Sequence, residues 1–302
     1  MSTQDIPGRP MQPDKPSQTA VATALLRALH MVADDAPAVF EDGDAVTLLP
    51  SYLKRYVRRL SELPRPWLKT FRLRRSGMTA MRAQVIVRAR YAEDVLAELR
   101  QTQGCERLVV LAAGLDTFAL RQTTSAEPID VLEIDHPATQ RWKRQRLEDL
   151  GYGDVSHLAY LPIDFEQSTL AEKLASEKPR RQTISWLGTT YYLTVPALTE
   201  TLKALADCSA AGSRLVLDFW QQPSKPDLDS LLLLGTRVAT ALQREPMKTF
   251  MTPQQMGGLL ESSGWRVIES CDAATQNQRY LSQRRDGLQV PRFAHVLQAE
   301  KR

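Results

Sequence analysis

From residue 107 onward the chain alternates short β-rich runs with helical stretches, and few folds accept that rhythm. The runs are RLVVLA (107–112), DVLEID (130–135), HLAYLPID (157–164), QTISWL (182–187) and SRLVLDFW (213–220). Two later runs, WRVIES (265–270) and RFAHVLQA (292–299), extend the series. Continuous apolar runs of this length suit strands covered on both faces, as in a parallel sheet. Helical stretches between them point to a doubly wound α/β fold. Upstream the texture is helical at 19–33, 51–61 and 79–100, with Pro64 and Pro66 breaking the region between the last two. Met81, Val85, Ala92, Val95 and Leu99 recur at helical spacing, and Arg88 falls on the same face. Residues 1–18, with four prolines, read as a disordered tail. Residues 19–302 read as one unit without a flexible linker: a helical cap region, 19–104, on an α/β core, 105–302.

Composition narrows the class without naming a function. Hydrophobic residues make up 43% and charged residues 25% of 302 residues, and the formal net charge is +4; these are ordinary values for a globular chain. Cys105, Cys208 and Cys271 lie far apart with no CxxC pair, so neither a zinc site nor a disulfide framework is expected. The longest apolar stretches, 21–26 and 230–235, fall far short of the roughly 20 residues of a membrane span. The first residues carry no apolar signal core. A cytoplasmic protein without a metal is the expectation.

The first strand runs into LVVLAAGLDTFALR (108–121). A strand ending in a glycine turn lets backbone approach a ligand closely, and ligands in doubly wound sheets bind outside the carboxyl ends of the strands. Ala112, Ala113 and Gly114 occupy that place. Neither the G-x-G-x-x-G dinucleotide fingerprint nor the phosphate loop is met, which disfavours a nicotinamide-dependent dehydrogenase. An ordinary strand–helix turn is the competing reading. About 20 residues further on, the second strand ends with Glu133 and Asp135, where a carboxylate accepts hydrogen bonds from ribose hydroxyls. Alternation puts both acids on one strand face. The third strand ends in Asp164–Phe165, an acid beside an aromatic ring, which suits an adenine or, alternatively, a helix cap.

Taken in order, VRARYAEDVL, LVVLAAGLDTFALR, VLEIDHPATQRWKRQRL, LPIDFEQ, WLGTTYYLT and GSRLVLDFW resemble the leucine carboxyl methyltransferase-like family of S-adenosylmethionine-dependent methyltransferases. The resemblance covers roughly residues 19–302 and extends to FMTPQQMGGLLESSGWRVIES and RYLSQRRDGL. It implies a class I methyltransferase fold, Rossmann-like, with a mostly parallel seven-stranded sheet and an antiparallel last strand. It also implies residue roles. Arg88 matches the arginine that pairs with the cofactor's methionine carboxylate, a pairing that a guanidinium fork suits. Ala112 and Gly114 match the turn beneath the methionine moiety. Asp135 matches the ribose acid with Glu133 close by, and Asp164 and Phe165 match the adenine pair. Two departures stand out. The turn that usually reads Gly-Ala-Gly is Ala112-Ala113-Gly114, and the Glu-Gly common after the fourth strand is Leu187-Gly188, leaving Gly188 as the matching cofactor-binding position.

The reaction so implied is in-line methyl transfer to oxygen, with the protein supplying orientation and electrostatics. A carboxylate acceptor needs no general base, whereas a hydroxyl does. No His/Asp pair stands out, since His136 and His157 read as structural, and this favours a carboxylate. Thr189 and Tyr191 are candidates to position the acceptor, with Tyr192 read as core. The main expectation is a small-molecule O-methyltransferase of bacterial secondary metabolism. The alternatives are a methyltransferase of a protein C-terminal carboxylate and a non-catalytic binding protein on the same fold. Residues 54–90 hold twelve Lys or Arg against one acid, Glu62. That stretch suits an acidic acceptor, nucleic acid engaged by Tyr56, Trp67 and Phe71 among the cations, or simply a solvated helical face.

Overall fold

Every residue of β1 (Arg107–Leu111) and of β5 (Arg214–Trp220) is buried, as strands covered on both faces must be. The computed structural model describes residues 16–64, 77–164, 169–243 and 245–302. The sheet is completed by β2 (Asp130–Asp135), β3 (Leu158–Pro162), β4 (Gln182–Trp186), β6 (Trp265–Cys271) and β7 (Ala294–Lys301). The strand order is β3-β2-β1-β4-β5-β7-β6. β1 pairs in parallel with β2 and β4, β2 with β3, and β4 with β5, whereas β7 lies antiparallel between β5 and β6. All seven expected strands are present, and the antiparallel last strand is where the resemblance put it. The edge strand β6 alternates exposed residues with buried or half-buried ones, as a strand with one wet face does.

The order in which strands are added to the sheet switches sides between β1 and β4, which run parallel, so a crevice opens at the carboxyl ends of these neighbours. The helices of the first hundred residues cover it. Gln18–Ala33 starts at Ser17, whose side chain accepts a hydrogen bond from the Ala20 amide. The tail expected over 1–18 therefore falls mainly outside the described residues, and its last two belong to this helix and its cap. The helix Gly77–Thr102 packs against β4, β5 and β7 on one side and against Gln18–Ala33 on another. Residues 82–88 are buried without a break, so the middle of this helix is enclosed all round rather than laid on one apolar stripe.

One core cluster, between sheet and helices, is built from Val109, Ile134, Ile184, Leu217, Trp186 and Trp265. A second cluster joins Ile86 and Val87 to Tyr191, Trp220 and Phe293, fastening the long helix to the end of β5. Among the described residues no helix is long and apolar enough to cross a membrane, and no cluster of His, Cys, Asp or Glu could hold a metal ion.

Candidate cofactor and acceptor cavity

A cavity of about 390 Å³ lies at the carboxyl ends of β1, β2 and β4, within the usual range for small-molecule sites. Its floor is the turn 112–114. Ala112 has φ 55° and Gly114 φ 53°, the left-handed region that favours glycine. Ala112 thus occupies a glycine conformation while carrying a methyl group. Gly114 has a second reason to lack one: a Cβ there would stand 2.9 Å from Cβ of Ala20 on the covering helix.

Asp135 ends β2 at the cavity wall. Its Oδ2 accepts from the Gly114 amide, and its Oδ1 accepts from the His136 amide at 2.6 Å. Burial raises its pKa, while these two amides oppose the shift. Each carboxylate oxygen keeps a lone pair for a further donor, so the turn and the acid form one preorganised corner. Glu133 does not join it. Its carboxylate is buried and receives Lys143 Nζ at 2.7 Å on both oxygens, with the Asp116 carbonyl accepting from the same ammonium at 2.5 Å. Glu133 is not among the cavity residues. The shared strand face predicted by alternation holds, but Lys143 on the helix Pro137–Asp149 turns that carboxylate into a core ion pair.

Arg88 is buried at the opposite end of the cavity, with 5% of its surface exposed. Its Nη1 donates to Asp218 Oδ2 at 2.7 Å and lies 3.5 Å from the Tyr191 hydroxyl. Burial works against its charge, but Asp218 and Tyr191 outweigh that and hold the guanidinium firmly protonated. Gly188 (φ 84°) abuts the fork: a Cβ there would be 2.7 Å from Arg88 Nη2. The Gly188 amide donates to Asp218 Oδ1 at 2.6 Å. Asp218 was not singled out in the sequence, although a lone acid inside the apolar run LVLDFW is a usable signal.

The residues after β4 divide differently from expectation. Thr189 lines the cavity, and its Oγ1 is buried with no hydrogen-bond partner among the described residues. Tyr191 does not line it. Its ring packs on Trp220 at 4.3 Å between centroids, in the second core cluster. Tyr192, expected in the core, packs against that cluster and also lines the cavity. Its hydroxyl is pushed up to about 12 by burial and by Glu245. Glu245, also on the wall, accepts hydrogen bonds from Ser17 and Thr19, so it ties the start of the covering helix to the cavity wall.

Asp164 sits away from the lining, with its Oδ2 at 3.9 Å from His136 Nε2. Phe165 lies outside the described residues. His136 itself lines the cavity while its Nδ1 accepts from the Ala138 amide as a helix cap. His157 contacts the Ala119 carbonyl at 2.8 Å, a structural role. Of the basic stretch 54–90, Arg88 is the one cation lining the cavity among the described residues. Arg82 forks onto Asp34 with two 2.7 Å contacts, and Arg90 pairs with Asp94 at 2.7 Å. Residues 65–76 of the stretch, with Trp67 and Phe71, lie outside the described residues.

The chain fits S-adenosylmethionine on its own terms. Gly114 and Gly188 present backbone to the cavity where a Cβ would crowd Ala20 and Arg88, an arginine and a carboxylate mark opposite ends, and the Thr189 hydroxyl has no partner among the described residues.

Residues 20–206 match the leucine carboxyl methyltransferase family. A Bacillus subtilis protein, named as a candidate S-adenosyl-L-methionine-dependent methyltransferase, is 28% identical over 97% of this chain and 100% of its own length. A Mycobacterium tuberculosis protein of the same description is 27% identical over 65% of this chain and 66% of its own. Among solved structures, a DUF574 family protein from Streptomyces avermitilis matches with a TM-score of 0.58 and 11% identity over 95% of this chain and 98% of its own. A Thermobifida fusca protein described as a candidate methyltransferase matches with a TM-score of 0.58 and 13% identity over 95% of this chain and 96% of its own. These structures share the fold. The chain belongs to the leucine carboxyl methyltransferase family and is an S-adenosylmethionine-dependent methyltransferase of the class I fold.

Proposed function

We propose that the cavity binds S-adenosylmethionine between Arg88 and Asp135 and transfers its methyl group to an oxygen of a small-molecule acceptor. The observation that carries this reading is the placement of a buried guanidinium and a preorganised carboxylate at opposite ends of one crevice, joined by the turn 112–114. In this reading Arg88 takes the methionine carboxylate through the part of its fork that Asp218 leaves free. Asp135 accepts from the ribose hydroxyls. Ala112, Gly114 and Gly188 line the cavity and present backbone to the ligand. Glu133 is a core ion-pair partner rather than a ligand, and Asp164 with Phe165 remains the proposal for adenine.

Bound S-adenosylmethionine supplies an electrophilic methyl group. The chain supplies the geometry: Thr189, Tyr192 and Glu245 form the wall on which an acceptor would rest. A carboxylate acceptor arrives ionised. For a hydroxyl acceptor, Glu245 provides the carboxylate that the sequence reading did not find. The residues lining the cavity are those of a small-molecule pocket, which favours a metabolite over a protein tail.

Calorimetric titration with S-adenosylmethionine, S-adenosylhomocysteine and NADH tests the reading. Micromolar binding of the first two, without the third, is expected. Asp135→Ala should weaken S-adenosylhomocysteine by about 2–3 kcal/mol, because bound hydroxyls lose a charged acceptor. Unchanged affinity would remove the ribose assignment.

A further inference from the structure

Asp218 is fully buried near the end of β5 and gathers donors from two separate parts of the chain. Gln84 Nε2 and Arg88 Nη1, one helical turn apart on Gly77–Thr102, reach its Oδ2 at 2.8 and 2.7 Å. The Gly188 amide, in the turn after β4, reaches its Oδ1 at 2.6 Å. The neighbouring Thr190 hydroxyl donates to the Asp218 main-chain carbonyl at 2.6 Å. Helix, turn and strand therefore meet on one carboxylate.

We propose that Asp218 is the positioning residue for the methionine end of the cofactor. It rests on the reading that Arg88 binds the cofactor carboxylate. Arg88 is a long side chain with several rotatable bonds, and a useful carboxylate clamp requires its fork to be fixed before the ligand arrives. Asp218 fixes it from behind by engaging Nη1, and Nη2 is left against Gly188 on the cavity side. The same carboxylate sets the turn that carries Gly188 and Thr189, so the arginine and the backbone facing it are held in register. The residue before this glycine is the uncharged Leu187. The carboxylate that organises the turn comes instead from β5.

The pair also fixes the charge that the ligand meets. Asp218 neutralises Arg88, so the site has no uncompensated buried cation. A zwitterionic amino-acid end, carrying both carboxylate and ammonium, adds no net charge to it.

The test compares S-adenosylhomocysteine with methylthioadenosine, which lacks the amino-acid end. Both are titrated into wild-type protein, Arg88→Ala and Asp218→Asn. Asp218→Asn should weaken S-adenosylhomocysteine by about tenfold or more while changing methylthioadenosine by less than about threefold, following Arg88→Ala in pattern. Equal losses for the two ligands would make Asp218 a fold residue only. A gain for S-adenosylhomocysteine would make it a competitor of the ligand; either result overturns the proposal. Failure of the wild-type protein to bind S-adenosylhomocysteine would instead overturn the cofactor reading beneath it. If Asp218→Asn does not fold, guanidinium NMR of the ligand-free wild type decides. Separate, slowly rotating Nη1 and Nη2 signals for Arg88 are expected, and one averaged signal refutes a fork held in advance.

Discussion

Gly114→Ala tests whether the covering helix and the turn 112–114 are one packed unit. Two costs are readable from the geometry. The first is backbone strain: Gly114 has φ 53°, where an L side chain costs about 1–2 kcal/mol. The second is crowding, because the new Cβ would stand 2.9 Å from Ala20 Cβ and the helix Gln18–Ala33 would have to retreat. Overpacking of this kind costs about 1–3 kcal/mol. The sum is about 2–5 kcal/mol, read as a fall in urea midpoint with an unchanged m-value. Ala112→Gly isolates the first cost at a neighbouring position of like φ. It should stabilise by about 0.5–1 kcal/mol, once the extra chain entropy of glycine is set against the relief of strain. Ala20→Gly isolates the second. Alone it costs about 1 kcal/mol as a glycine in a helix, but combined with Gly114→Ala it should recover the crowding share, giving a coupling of about 1–3 kcal/mol. If the double variant is simply the sum of the singles, the helix does not rest on the turn as described.

Lys143→Met should destabilise by about 3–5 kcal/mol, because it strands the buried Glu133 carboxylate; Glu133→Leu in the same chain should restore most of the loss, by chemical denaturation. Neither variant should move S-adenosylhomocysteine affinity by more than about twofold, since Glu133 lies outside the cavity. Burial lowers the His295 pKa below its ordinary 6.5, with Asp272 opposing, while the ring stacks on Phe219 at 5.1 Å. The folded protein then binds fewer protons at this site than the unfolded chain, so stability falls as pH drops below about 6.5. The His295→Phe variant should lose that part of the acid dependence in denaturation curves at pH 5 and 7, and an unaltered slope would remove His295 as its source.

The sheet was legible because its strands are buried on both faces and therefore appear as continuous apolar runs. Gly114 and Asp135 were legible because the fold brings the end of β1 and the end of β2 side by side, and that neighbourhood follows from strand order alone. Glu133 misled because alternation gives a strand face but not the partner waiting there; Lys143 arrives from a helix ten residues later. Tyr191 is wholly in the core and Tyr192 shared between core and cavity because the 3-10 turn at Thr190–Tyr192 follows neither period 2 nor period 3.6. Glu245 had no local signature. It reaches the cavity from beyond the helix Leu228–Leu242 and meets Thr19 across 226 residues of sequence. Asp218 was visible as a polar residue in an apolar run, but its partners, Gln84 and Arg88, lie 134 and 130 residues away.

The position of β7 between β5 and β6 governs how this chain is made. Synthesis delivers residues 1–293 while the carboxylate-bearing strand β5 still has one bare edge and β6 has no strand to pair with. Both edges wait for residues 294–301, which the ribosome releases after everything else they join. During that interval an apolar strand edge is open to any neighbouring chain. A nonsense mutation shortly before residue 294 would therefore not trim a peripheral strand. It would leave a gap inside the sheet, on the strand that carries Asp218.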